Sequence, residues 1–277
     1  MIFVRKHLHL ISPCSRDKFI KIMFFSSFSL KNWLSRSELQ REKAKDYRNI
    51  VILQVAIVTF GLTLSDPILT DSTSDSSKFI ISVFSFFGAL YTYLLFDMLR
   101  NLTQSKILLA IIFTLLVGSV GLGILAEFPY YQLIKIANRQ ALLLTVHGLL
   151  FPIEVIVISF ALRDVFSGST LTPDKLWGAA CVFLMVGISF GSLYDILTIS
   201  QIGGLGKEIE LGFPNYSECI NFSFSILGGV ESGLQPEKLI RNIGTLEGVF
   251  GNLYGMLIIG KLLSLPRAEE NEQGPIR

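Results

Sequence analysis

Pro214-Asn215-Tyr216-Ser217-Glu218-Cys219-Ile220-Asn221-Phe222-Ser223-Phe224-Ser225-Ile226-Leu227-Gly228-Gly229 is the stretch on which the fold turns. Its apolar part, residues 216–227, is too short to cross a bilayer, which takes about 20 mainly apolar residues as a helix. It sits inside a connection of about 45 residues, 198–242, between two apolar runs that are long enough, 176–197 and 243–263. A half-length segment between two full ones reads as a re-entrant helix. Asn215 is placed to cap its start, with Glu218 three residues on as in a capping box, and Gly228-Gly229 lets the backbone leave it.

Four more apolar runs precede these two, at 50–64, 79–99, 107–126 and 141–162. The first is short and meets a stop signal at Asp66-Pro67. With 51% hydrophobic and only 17% charged residues, and a mean hydropathy of +0.55, most of the chain has lipid as its solvent. The expected fold is an all-α membrane protein with about six transmembrane helices and a re-entrant pore helix between the fifth and sixth. Four regions follow: a basic cytoplasmic segment, 1–48; a four-helix membrane domain, 49–165; a pore domain of helix, pore loop and helix, 172–265; and a cytoplasmic tail, 266–277.

Eleven of the 24 Lys and Arg residues lie in the first 48 positions. With the N-terminus in the cytoplasm, 18 cationic side chains fall inside and 6 outside, so the positive-inside bias places both termini in the cytoplasm of a multi-pass cell-membrane protein. The apolar stretch 19–30 is interrupted by Lys21 and lacks a cleavage site, so it is expected on the membrane surface rather than as a cleaved signal. The basic arm has no interleaved base-stacking side chains, so nucleic acid is not an expected partner.

Chemistry at neutral pH is poorly provided for. With three His and scattered Cys14, Cys181 and Cys219, no spacing marks a metal site or disulfide framework, and the expectation is no catalytic residue, metal or cofactor. An intramembrane enzyme would need a dyad, but His147 and Ser159 are about 18 Å apart along one helix. No repeat at a fixed period suggests a transporter of inverted halves. A re-entrant helix that ends near mid-membrane instead points the negative end of its dipole at a path where cations gather, and the irregular chain after it must be buried in protein or line water. The alternative is a hairpin that merely plugs a bundle.

Residues 176–265 resemble the pore region of small bacterial potassium-channel-like proteins that have hydrophobic N-terminal spans. Leu176-Trp177-Gly178-Ala179-Ala180-Cys181-Val182-Phe183-Leu184 through Leu193-Tyr194 is similar to their outer helix, and Phe222-Ser223-Phe224 to the FSF of the pore helix. Leu246-Glu247 with Gly251-Asn252-Leu253-Tyr254 resembles the LExxxGQLY of the inner helix, and Gly260-Lys261-Leu262 its basic end. The resemblance implies a homotetramer around one ion path, with Phe222, Phe224 and Glu247 supporting the pore. Where that family has a TTxGYGD filter, this chain has Gly228-Gly229-Val230-Glu231-Ser232-Gly233-Leu234, which keeps only the second filter glycine, Gly233. High potassium selectivity is therefore not expected.

Val230-Glu231-Ser232 is similar instead to the LES core of bacterial sodium-channel filters, where one glutamate per subunit forms a carboxylate ring. Four Glu231 side chains would repel one another and be relieved by a hydrated cation, whether K+, Na+ or Ca2+, and external acid should block conduction. The competing reading makes Glu231 a mouth charge in a channel-like interaction subunit that does not conduct. Gly244, Gly248, Gly251 and Gly255 form a small-residue face for close packing, with Gly251 the candidate gating hinge. His147 and Glu154 share a helical face across Pro152, either as a proton-sensing pair or as a buried neutral His with a protonated or paired Glu. Residues 141–162 hold no Lys or Arg, which disfavours voltage sensing.

Overall fold

The computed structural model describes residues 36–70, 75–127, 139–167 and 172–264; the expected surface segment 19–30, Cys14 and the tail lie outside them. Among the described residues there are seven helices and no strand: α1 (Arg36–Thr70), α2 (Asp75–Leu102), α3 (Lys106–Glu127), α4 (Arg139–Phe166), α5 (Pro173–Ile199), α6 (Phe213–Leu227) and α7 (Lys238–Ser264). Five helical segments are long and apolar enough to cross a membrane: Lys78–Leu102, Lys106–Leu125, Arg139–Phe166, Pro173–Ile199 and Lys238–Lys261. The chain is thus an all-α protein of membrane type. The first expected span falls within α1, which runs on through Asp66 and Pro67 to Thr70. A proline this close to a helix end removes one ladder bond without cutting the helix short.

Lys43–Arg277 form one compact unit; of the other, Met1–Glu42, residues 36–42 are described and open α1. Within the larger unit, contacts fix how the helices run. Asn101 Nδ2 donates to Asp46 Oδ2 at 2.5 Å while Phe60 meets Phe87 edge-on at 5.4 Å, so α1 and α2 are antiparallel. Phe96 against Phe113 sets α3 beside α2. At one end of α4 and α5, Gln140 Nε2 donates to the Ile199 carbonyl at 2.6 Å; at the other, Val165 and Tyr47 crowd Gly178. There Lys43 Nζ pairs with Asp164 at 2.6 Å and the Tyr47 hydroxyl donates to the same carboxylate.

The helix at the centre is α5: 61% of its apolar window is buried, against 17–33% in the other four. Its composition explains the place. Gly178, Ala179, Cys181, Gly187, Ser189, Gly191 and Ser192 are buried small residues that let neighbouring backbones come close, which is how helices associate where lipid supplies no hydrophobic drive. The main core gathers around Val182, Met185, Val157, Ala161, Leu95 and Leu99, and a second, smaller one around Tyr194, Leu205, Cys219, Phe222 and Ile240 ties α6 to α5 and α7.

Candidate functional site

Helix α6 has 15 residues, and its partners place it along half of two longer helices. Near its start, Asn215 Nδ2 donates to Asp195 Oδ1 at 2.5 Å; further on, the Ser223 hydroxyl donates to the Gly187 carbonyl at 2.7 Å. So α6 runs antiparallel to α5 and ends level with its middle. On α7, Leu227 packs where a Cβ on Gly251 would stand 2.7 Å from Leu227 Cδ2. Gly187 and Gly251 lie 12 and 13 residues from the ends of α5 and α7 nearest the α6 entry, or about 18–20 Å along each axis. The chain then returns to its entry level, where the Glu237 N–H donates to the Gly204 carbonyl at 2.9 Å. Gly206, at φ +80°, passes so close to the Gln235 carbonyl that no side chain fits.

The start of α6 differs from the expected one. Helix begins at Phe213, after Gly212, with Pro214 in the first turn where its missing N–H costs nothing. Asn215 is therefore inside the helix and caps nothing; its amide is spent on Asp195. The stop is at the expected glycines. Gly228 closes the last turn and Gly229 takes the left-handed conformation (φ +65°), with Gly229 N–H to Ile226 O at 3.1 Å and Val230 N–H to Ser225 O at 2.8 Å. This pairing is a Schellman stop, for which glycine is the natural residue. It also occupies carbonyls of the last turn: Phe224, Ser225 and Ile226 already accept bonds from the chain itself.

Beyond the stop, Gly228, Gly229, Val230, Glu231 and Gly233 are exposed and Ser232 is half-buried. Val230 is 67% exposed, and a Cβ on Gly229 or Gly233 would meet nothing within 4 Å. One local bond, Leu234 N–H to Ser232 Oγ at 3.3 Å, shapes this loop. The six expected filter residues thus form a largely exposed loop that starts at half the depth of α5 and α7.

The expected supporting residues lie behind that loop. Phe222 is buried edge-on against Tyr194 at 5.1 Å, and the Phe224 ring lies flat on Gly187, where a Cβ would come within 2.6 Å of it. Glu247 is fully buried, accepts from the Tyr194 hydroxyl at 2.6 Å, and lies within hydrogen-bond reach of Ser223 Oγ, whose single proton it shares with the Gly187 carbonyl. One carboxylate therefore joins α5, α6 and α7. Gly244, Gly248 and Gly251 pack against Ile226 and Leu227, while a Cβ on Gly255 would meet open space.

His147 and Glu154 do line one cavity, but the carboxylate beside the His147 ring is Asp195, whose Oδ2 lies 3.1 Å from Nδ1. Asp195, fully buried, thus stands between His147 and Asn215 and joins α4, α5 and α6. Reading the sequence did not single it out, nor Tyr194 and Ser223. The available signal was that Asp195 is the sole acid in the apolar run 176–197. Helix α6 also reaches three of the first four helices, α1, α2 and α4: Ser217 Oγ donates to the Gly61 carbonyl at 2.9 Å, Phe213 meets Phe84 at 4.3 Å, and Tyr216 meets His147 at 5.1 Å.

No family model, no curated protein and no solved structure matches this chain. Among the described residues no group of three or more His, Cys, Asp or Glu could hold a metal ion.

Proposed function

We propose that this chain is the pore-forming subunit of a potassium-channel-like homotetramer that conducts cations passively through the cell membrane. It crosses the bilayer six times, with both termini cytoplasmic, and α6 dips in from outside and returns. The observation that carries this reading is the half-depth end of α6 between Gly187 and Gly251, followed by a chain that goes back to its entry level. A backbone that stops at mid-membrane must be covered by protein or face water, and residues 228–233 are uncovered within one subunit.

The tetramer is supported by α7. Leu246, Val249, Leu253, Met256 and Leu257 are all more than half exposed on one subunit. Copies around a central axis would use part of this stripe and set four Glu231 carboxylates around one path. With the last-turn carbonyls of α6 largely engaged, those carboxylates supply the attraction for cations, and potassium selectivity is weak. A second reading, a channel-like interaction subunit that does not conduct, is favoured by the loop's lack of bracing: Ser232 has no ring to pack behind the filter.

Purified protein in planar bilayers under bi-ionic potassium, sodium and calcium gradients decides between them. Conduction predicts cation currents that Glu231→Gln reduces at least tenfold and that external acid blocks. Silence from correctly assembled tetramers refutes conduction and leaves the interaction subunit.

A further inference from the structure

Away from residues 228–233, α2 to α6 enclose a partly open cavity of about 140 Å³. Much of its wall is hydrocarbon, from Phe84, Leu95, Val120 and Leu150, with the rings of Tyr91 and Tyr216 beside them. Among the described residues one carboxylate reaches it, that of Glu154, a residue only 4% exposed. The Ser192 hydroxyl lines it too, 3.4 Å from that of Tyr216, and Glu154 Oε2 has no hydrogen-bond partner. No Lys or Arg among the described residues lines the cavity. His147, at its edge, has the Asp195 carboxylate beside it.

A carboxylate out of water and without a countercharge is costly, so a site of this form favours an occupant that brings a positive charge or a proton. A bare metal ion is a poor match. Calcium and magnesium want about six oxygen ligands, and the described residues include no acidic or histidine cluster that approaches this. The size and lining suit something larger: an apolar cavity of about 150 Å³ holds a benzene-sized molecule. Aromatic faces beside the carboxylate add attraction for an organic cation.

We propose that this cavity binds a small lipophilic amine, its ammonium on the Glu154 carboxylate and its hydrocarbon body against Leu95, Val120 and Leu150. A second apolar groove of about 190 Å³ on α2 and α3 shares Ala89, Thr92 and Val120 with it, so a longer tail has room to continue. The site uses none of the residues proposed to line the ion path, and its ligand chemistry stands whether or not the chain conducts.

The test is fluorine NMR titration of 4-fluorobenzylamine against the full-length chain in lipid nanodiscs, with 4-fluorobenzyl alcohol as the uncharged comparison and empty nanodiscs as the partition blank. Saturable binding of the amine, at least tenfold weaker for the alcohol and for Glu154→Gln, is the expected result. Gly88→Leu keeps the carboxylate but adds bulk at a lining position where a Cβ meets nothing within 4 Å, and it should weaken amine binding at least tenfold as well. It decides the matter if Glu154→Gln does not fold. Glu231→Gln should bind like the wild type, which separates this site from the ion path. Equal binding of amine and alcohol, equal binding by wild type and Gly88→Leu, or partition without saturation overturns the proposal.

Discussion

Removing the Glu247 carboxylate tests whether α6 is held in place from behind. Glu247, Tyr194 and Ser223 are all fully buried; the Tyr194 hydroxyl donates to the carboxylate, and the single Ser223 proton has the carboxylate and the Gly187 carbonyl as its two acceptors. In Glu247→Ala, the Ser223 proton turns to the Gly187 carbonyl, 2.7 Å from its oxygen, but the Tyr194 hydroxyl is left without an acceptor. An orphaned buried donor costs about 1–3 kcal/mol, exchange of the charge-assisted Ser223 bond for a neutral one about 1 kcal/mol, and the vacated Cγ methylene about 1 kcal/mol more. The expected loss of stability is about 3–5 kcal/mol.

Glu247→Gln has the same shape. Its amide oxygen accepts from Tyr194 and its NH2 donates to Ser223 Oγ, whose own proton turns to Gly187, so the cost is about 0–1 kcal/mol. Tyr194→Phe removes the donor that Ala would orphan, so in a double-mutant cycle the two substitutions should couple by about 1–2 kcal/mol. Steric-trapping unfolding in bicelles measures each step. A loss below about 1 kcal/mol for Glu247→Ala, or an equal loss for Ala and Gln, would refute the role assigned to this carboxylate.

Gly191→Ala should cost about 1–3 kcal/mol, because its Cβ would stand 3.0 Å from the Ile220 backbone, whereas Gly255→Ala, which meets open space, should be neutral or slightly stabilising in the same unfolding assay. Gly206→Ala should be the most damaging glycine substitution, at about 3–4 kcal/mol, since it combines a left-handed φ with a backbone clash against Gln235; a shift in melting temperature no larger than that of Gly255→Ala would contradict the close approach. Burial, with the Asp164 carboxylate adding to it, pushes the Tyr47 phenol up from its ordinary 10.0. The folded state therefore holds this proton more tightly than the unfolded chain, and its contribution to stability is complete below pH 10 and declines above it. Tyr47→Phe should flatten that decline in melts taken across alkaline pH.

That this chain is helical and apolar enough for a membrane, and where most of its long helices lie, follows from run length and composition alone. The sequence also marked the short helix before residue 228 and its glycine stop, since a left-handed residue at a helix end is a local matter of sterics. Local signals failed at the other end of α6. Asn215 looks like a cap, yet the helix starts at Phe213 and Asn215 serves a partner 20 residues away on α5. Only the tertiary structure decided that Asp195 faces His147, that Glu247 joins three helices, that α5 is central, and that Glu154 opens on a cavity. Those facts depend on which helix faces arrive opposite one another, and hydropathy along one chain carries no information about a neighbour's face.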